Sequence, residues 1–236
     1  MTHLFKVSRL IGLLALVLGL MAFGSTAAQA ETGAHWNVSG VPISGALLPE
    51  IQASLESNHG ILLTKIGLSK VEILCTALKL VGAKLHELGK TSGKFHLSGC
   101  ITKLNGVEAK ACVPHSPKAA NGLIESEAFT SLIQLHKPTG EESFGDLNVT
   151  INININLGKE APEKNECAIG EKFVVSGALF LKDCQKEGGV EKVTHLLEEG
   201  PLSTVKFGAN PMTFDGSINV SLAGAHAGLK WSGIPG

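Results

Sequence analysis

Five cysteines carry most of the chemistry this sequence could perform: Cys75, Cys100, Cys112, Cys167 and Cys184. A thiol acts as a nucleophile only as the thiolate, in a partly exposed, electropositive setting. Cys75 lies instead in the apolar run Ile73-Leu74-Cys75 and reads as a buried, inert thiol. In an oxidising compartment cysteines pair. Cys100 and Cys112 flank the turn signal Leu104-Asn105-Gly106, and Cys167 and Cys184 bracket one apolar run, FVVSGALFL. The expected disulfides are therefore Cys100–Cys112 and Cys167–Cys184, with Cys75 left as the free thiol. Sequence alone leaves other connectivities open. Each short loop so closed would contribute about 3 kcal/mol.

Other chemical motifs begin and then fail. Leu88-Gly89-Lys90-Thr91 resembles the end of a phosphate-binding loop, but that loop needs a Gly at position 84, where Lys84 stands. It reads as a strand-to-strand turn. His86-Glu87 opens like a zinc-protease helix, yet the second His would have to occupy position 90, which is Lys90. The histidines beyond residue 30 are spread at intervals of ten or more, and none has metal-ligand spacing with a Cys. No Gly-x-Ser-x-Gly elbow is present. A triad assembled by geometry stays open, but Asp is confined to Asp146, Asp183 and Asp215. The pairs Glu141-Glu142 and Glu198-Glu199 read as solvated loop charge, since adjacent residues on a strand point to opposite faces. No enzyme activity, cofactor or metal is expected.

One polar array stands out. Asn148, Thr150, Asn152, Asn154 and Asn156 alternate with Val149, Ile151, Ile153, Ile155 and Leu157. Period two over ten residues is a half-buried strand. Its amide row reads as an ordinary wet face, with two alternatives: a face for glycan hydroxyls, or an edge that pairs between molecules. Asn37, Asn148 and Asn219 each head an Asn-x-Ser/Thr acceptor sequence, which matters only in a glycosylating pathway.

The elements that would position these residues are strands. Short apolar alternation punctuated by Gly, Asn, Asp and Pro recurs at 35–44, 94–103, 107–113, 124–136, 172–181, 203–207 and 217–223. Turn signals at 104–107 and 214–217 predict hairpins. The stretch 71–88 carries both a helical stripe, through Leu74, Leu78, Val81 and Leu85, and a strand alternation, through Val71, Ile73, Cys75 and Ala77. Gly82 inside it favours strand. Segments 48–57 and 190–199 are short helix candidates. The expected fold is all-β: an antiparallel sandwich or barrel-like domain with at most short helices. If there are two lobes, the loop 114–122 divides them. Trp36-Asn37-Val38-Ser39-Gly40 near one end is echoed by Trp231-Ser232-Gly233 at the other, as two edge strands would be.

Residues 1–30 read as a cleavable signal peptide. Lys6 and Arg9 precede an apolar run over 10–23, and Ala28-Gln29-Ala30 offers the small-x-small cleavage pattern. The run is short of the ~20 residues a spanning helix needs. The remaining domain, 31–236, is long enough for one sizeable core. It holds 18 basic and 21 acidic residues, so its net charge is −3. That balance offers no footprint for nucleic acid. Tyr is absent and the only Arg is Arg9, so the usual anchors of tight protein interfaces and anion clamps are missing. A membrane β-barrel is disfavoured, because aromatic girdles are expected there.

The segments LSGC at 97–100, CAIGEKFVVSG at 167–177 and FGANPMTFDGSINVSLAGAH at 207–226 resemble a group of uncharacterised exported β-rich bacterial proteins with scattered Cys. The resemblance implies export and β structure, and no functional residues. The leading expectation is an extracytoplasmic, secreted or envelope-associated, non-enzymatic β domain with a structural or surface-binding role, in possible contact with the envelope or glycans. The alternative is a binder of a small apolar ligand or lipid, held between sheets or inside a barrel. An exported hydrolase comes third.

Overall fold

The computed structural model describes residues 33–45, 48–56, 60–136, 144–159, 164, 166–181, 189–196 and 204–235. Residues 1–30, read above as a signal peptide, lie outside them. Residues Gly33–Gly236 form one compact unit.

The chain is all-β, as its alternation predicts. In order run β1 (His35–Val38), β2 (Val41–Pro42), β3 (Ile51–Leu55), β4 (Gly60–Ile66), β5 (Ser69–Cys75) and β6 (Ala77–Leu85). Next come β7 (Lys90–Ser98), β8 (Ile101–Leu104), β9 (Val107–Glu108), β10 (Pro114–His115), β11 (Ile124–Glu125) and β12 (Phe129–His136). Then follow β13 (Phe144–Leu157), β14 (Lys172–Leu181), β15 (Lys192–Leu196), β16 (Lys206–Phe207), β17 (Asn210–Asp215), β18 (Ser217–Leu222) and β19 (Trp231–Ile234). Among the described residues the one helical element is the short 3-10 turn Gly224–His226.

Thirteen strands make a single curled antiparallel sheet, a half-barrel, along the path β11-β7-β12-β13-β14-β16-β17-β4-β5-β8-β9, with β6 on β7 and β10 on β13. Two three-stranded sheets, β19-β1-β2 and β15-β18-β3, complete it. They cover the open side by a corner. β17 pairs with β4 and β18 pairs with β3, so two chain segments run alongside each other through both sheets. Gly216, at φ 133°, bends one of them. The free edge of β3 then meets β6 at a seam, through the bridge Glu50–Lys84 and the Leu85 amide donating to the Pro49 carbonyl at 2.9 Å. Beside the seam β6 carries a bulge between Val81 and Lys84, with Gly82 at φ 59°. Bulges and glycine corners are how a twisted sheet is made to curve.

Several elements differ from expectation. The segment 48–57 holds β3, not a helix: Ile51 and Ala53 face in while Gln52 and Ser54 are exposed, and β18 and β6 supply the partners. The described part of 190–199 is β15, paired along its length with β18. Residues 214–217 do not form a hairpin, because β17 and β18 pair with different strands. The 104–107 hairpin does form, with Asn105 and Gly106 both left-handed and Leu104 opposite Val107. In 71–88 the strand alternation wins: Val71, Ile73 and Cys75 are buried along β5, and β6 follows Thr76. The expected strand at 94–103 breaks at Gly99. A Cβ there would lie 2.1 Å from the Thr76 hydroxyl, so β7 goes to β6 while β8 goes to β5.

Candidate functional site

The cysteines pair otherwise than expected. Cys75 is bonded to Cys100, and Cys112 to Cys167. Cys75 is therefore no free thiol. The register explains the first bond. Leu74 faces Ile101 in the β5–β8 ladder, so the next pair along is Cys75 and Cys100, with Cα atoms 4.0 Å apart. The register also explains why Cys100 and Cys112 do not meet. Lys103 faces Glu108; carried outward, that ladder would set Ala111, not Cys112, opposite Cys100, and a one-residue slip reverses the face. Cys184 lies outside the described residues, as do Asp183, Glu141, Glu142, Glu198 and Glu199.

The asparagine row sits on β13. Val149, Ile151, Ile153, Ile155 and Leu157 are buried beneath it. Thr150, Asn152 and Asn154 are exposed, and Asn156 is buried opposite His115. The side chain of Asn148 is outside the described set. β14 pairs with β13 from Leu147 to Asn156 on one side, and β12, the Ser126–Ile153 bridge and β10 take the other, so the row is not a free sheet edge. His86 bonds Ser92 at 2.6 Å, and His96 pairs with Glu125 across β7 and β11 at 3.5 Å. Among the described residues, no three of His, Cys, Asp and Glu gather as metal ligands would. Leu88 and Gly89 form the tight β6–β7 turn, both at positive φ, and deliver Thr91 to the inner face of β7.

That inner face borders an apolar cavity. The concave side of the sheet encloses a cavity of about 110 Å³. β6 and β7 contribute Leu85, Thr91, Phe95 and Leu97. β13 and β14 contribute Val149, Ile151, Leu179 and Leu181. β3 and β18 supply Ile51, Ala53, Ile218 and Val220 from the covering sheet. Among the described residues, none of the lining is charged, and Thr91 alone carries a hydroxyl.

The two ends of the cavity differ. At one, Trp36 and Trp231 lie with ring centroids 5.5 Å apart, both about nine-tenths buried or more. The Trp36 indole N–H donates to the Lys90 carbonyl at 2.9 Å, which anchors it to the β6–β7 turn. Gly233 makes room for that ring: a Cβ there would lie 2.7 Å from it. At the other end the lining is only partly buried. Leu55, Gly60, Leu78, Leu80, Phe95 and Phe214 are all of this kind. They collect where β3 gives way to β4 and along the start of β6, before its bulge and the seam.

Among the described residues, five buried side-chain atoms have no hydrogen-bond partner: Asn37 Oδ1, the hydroxyls of Thr91, Thr102 and Ser131, and the Trp231 indole N–H. Thr91 and Ser131 are directly opposed across β7 and β12. The echoed segments are not two edge strands, because β1 lies between β19 and β2. The echo of Trp36 and Trp231 is a ladder, since β1 pairs with β19 and sets Val38 against Trp231 and Trp36 against Gly233.

No protein-family model matches the chain, and neither the curated proteins nor the solved structures hold a match to it.

Proposed function

We propose that the protein is an exported, non-enzymatic carrier that shelters a small apolar molecule, or the apolar end of a larger one, inside the curled sheet. The observation that carries this reading is the cavity of about 110 Å³ with a wall of aliphatic and aromatic side chains. Water gains little there, because it needs two to four polar partners. An apolar cavity of about 150 Å³ engineered in another protein stays dry and takes up benzene, so this volume suits a molecule of about that size. The partly exposed residues at the β3–β4 corner give the ligand a way in. Work outside the cytoplasm accords with the two disulfides, which persist in oxidising compartments.

Titration with methylcyclohexane tests the reading, followed by methyl chemical shifts and by the rise in melting temperature that ligand binding to the folded state produces. Saturable binding is expected, with shifts confined to Ile51, Val149, Ile151, Leu179 and their neighbours. Ala53→Leu, and more severely Ala53→Phe, should fill the space and abolish it. Unsaturable shifts spread over the surface, or binding unchanged in a folded Ala53→Leu variant, would remove this function.

A further inference from the structure

We infer that the cargo is a single-headed amphiphile, one hydrocarbon chain with a polar group at one end only, which enters chain first and leaves its head in water beside the β3–β4 corner. This rests on the carrier reading and narrows it to a chemical class.

The interior decides what can be buried. Thr91 carries a hydroxyl and the two tryptophans carry indole N–H groups, yet the surface that the lining turns toward the cavity is apolar throughout. A hydroxyl or amide carried inside would lose its hydrogen bonds to water and gain none in exchange, which weakens binding about tenfold or more. A charge would fare worse, since among the described residues no lining side chain is charged. The enclosed part of the ligand is therefore hydrocarbon alone. A cavity of about 150 Å³ elsewhere holds one benzene, so about 110 Å³ has room for one short chain and not for two.

The mouth decides where the head stays. Leu55, Gly60, Leu78, Leu80, Phe95 and Phe214 line the cavity and are each partly exposed, so a ligand that fills the space ends in contact with water. A wholly apolar molecule would leave hydrocarbon exposed there, whereas an amphiphile sets its polar group there. The chain beside these residues is charged. Glu56 follows Leu55, Asp215 follows Phe214, Lys79 lies between Leu78 and Leu80, and Lys94 precedes Phe95; all four are exposed. Glu56 and Asp215 lie at one corner, since the Glu56 amide donates to the Ser217 carbonyl at 2.9 Å and Asp215 pairs with Ile61, next to Gly60. Two carboxylates and two ammonium groups balance, so the surroundings of the mouth select no sign of charge. The head is specified only as polar: a hydroxyl, a carboxylate or an ammonium group.

Chemical-shift titrations at neutral pH with methylcyclohexane, 1-hexanol, hexanoate, 1-butanol and 1,6-hexanediol test the assignment. 1-Hexanol and hexanoate should bind within about threefold of each other, because both heads stay in water. 1-Butanol should bind about fifteenfold more weakly than 1-hexanol, about fourfold for each methylene left out. 1,6-Hexanediol should bind at least about tenfold more weakly than 1-hexanol, because one of its hydroxyls must be buried without a partner. Exchanging 1-hexanol for hexanoate should move the amide signals of Leu55, Gly60 and Leu78 and leave the indole signals of Trp36 and Trp231 nearly in place. Ala53→Leu should abolish binding of every probe. If methylcyclohexane binds but hexanoate is about a hundredfold weaker than 1-hexanol, the head is buried; the head-out assignment then fails and the carrier reading stands. A diol that binds as tightly as 1-hexanol overturns the single-headed class in the same way. If methylcyclohexane, 1-hexanol and hexanoate all leave the folded protein's spectrum unchanged, both readings fall.

Discussion

At the scale of single residues, Thr91 carries a buried hydroxyl without a hydrogen-bond partner. Removing an unpartnered buried hydroxyl without changing shape should raise stability, because its desolvation is no longer uncompensated. Thr91→Val is expected to stabilise the protein by about 1 kcal/mol, read from urea midpoints at unchanged slope. Gly233 should behave oppositely. Its missing Cβ is the space occupied by the Trp36 ring and the Ile133 side chain, at 2.7 and 2.8 Å. Gly233→Ala should cost about 1–3 kcal/mol, as overpacking does, and shift the Trp36 indole signal. The sequence made Cys75 legible as buried, and Gly89-Lys90-Thr91 legible as a turn. It could not show that Thr91 and Trp231 share a wall, since 140 positions separate them and no local pattern spans that distance.

The strands that could be read in advance are those whose two faces see different solvents along their whole length. β13 is the clearest case: five buried aliphatics alternate with amides, and the strand fills the register from Phe144 to Leu157. β14 spans the expected residues for the same reason. β3 reads from the sequence as a short helix, because a five-residue strand gives too few positions to tell period two from 3.6. Its identity is decided by β18 and β6, far along the chain. The cysteine pairing was hidden for a related reason. β6 and β7 form a hairpin inserted between β5 and β8, and only the β5–β8 ladder brings Cys75 to Cys100. The two disulfides span 25 and 55 residues. Chain-entropy estimates give about 3.5 and 4 kcal/mol for loops of that length. Cys75→Ala with Cys100→Ala should therefore lower the unfolding free energy by about 3.5 kcal/mol.

Across the whole molecule, the all-β class followed from alternation and turn chemistry, but the enclosure did not. It depends on the corner at Gly216 and on a seam held by one bridge between Glu50 and Lys84. A seam so sparsely bonded should open before the ladders beside it. The Leu85 amide is expected to exchange with deuterium faster than the Ile151 and Ile153 amides inside the β13–β14 ladder, and saturating ligand should slow it. The pairing of β1 with β19 has a further consequence, one of time. The strand that carries Trp36 is made early, and the strand that must lie against it, with Trp231, far later. Until residues 231–234 arrive, the tryptophan end of the cavity is incomplete and its apolar wall stays open. Closure must therefore wait for them, and pairing across so long a separation is slow. Were the chain exported as proposed, that delay would keep it threadable until β19 is made.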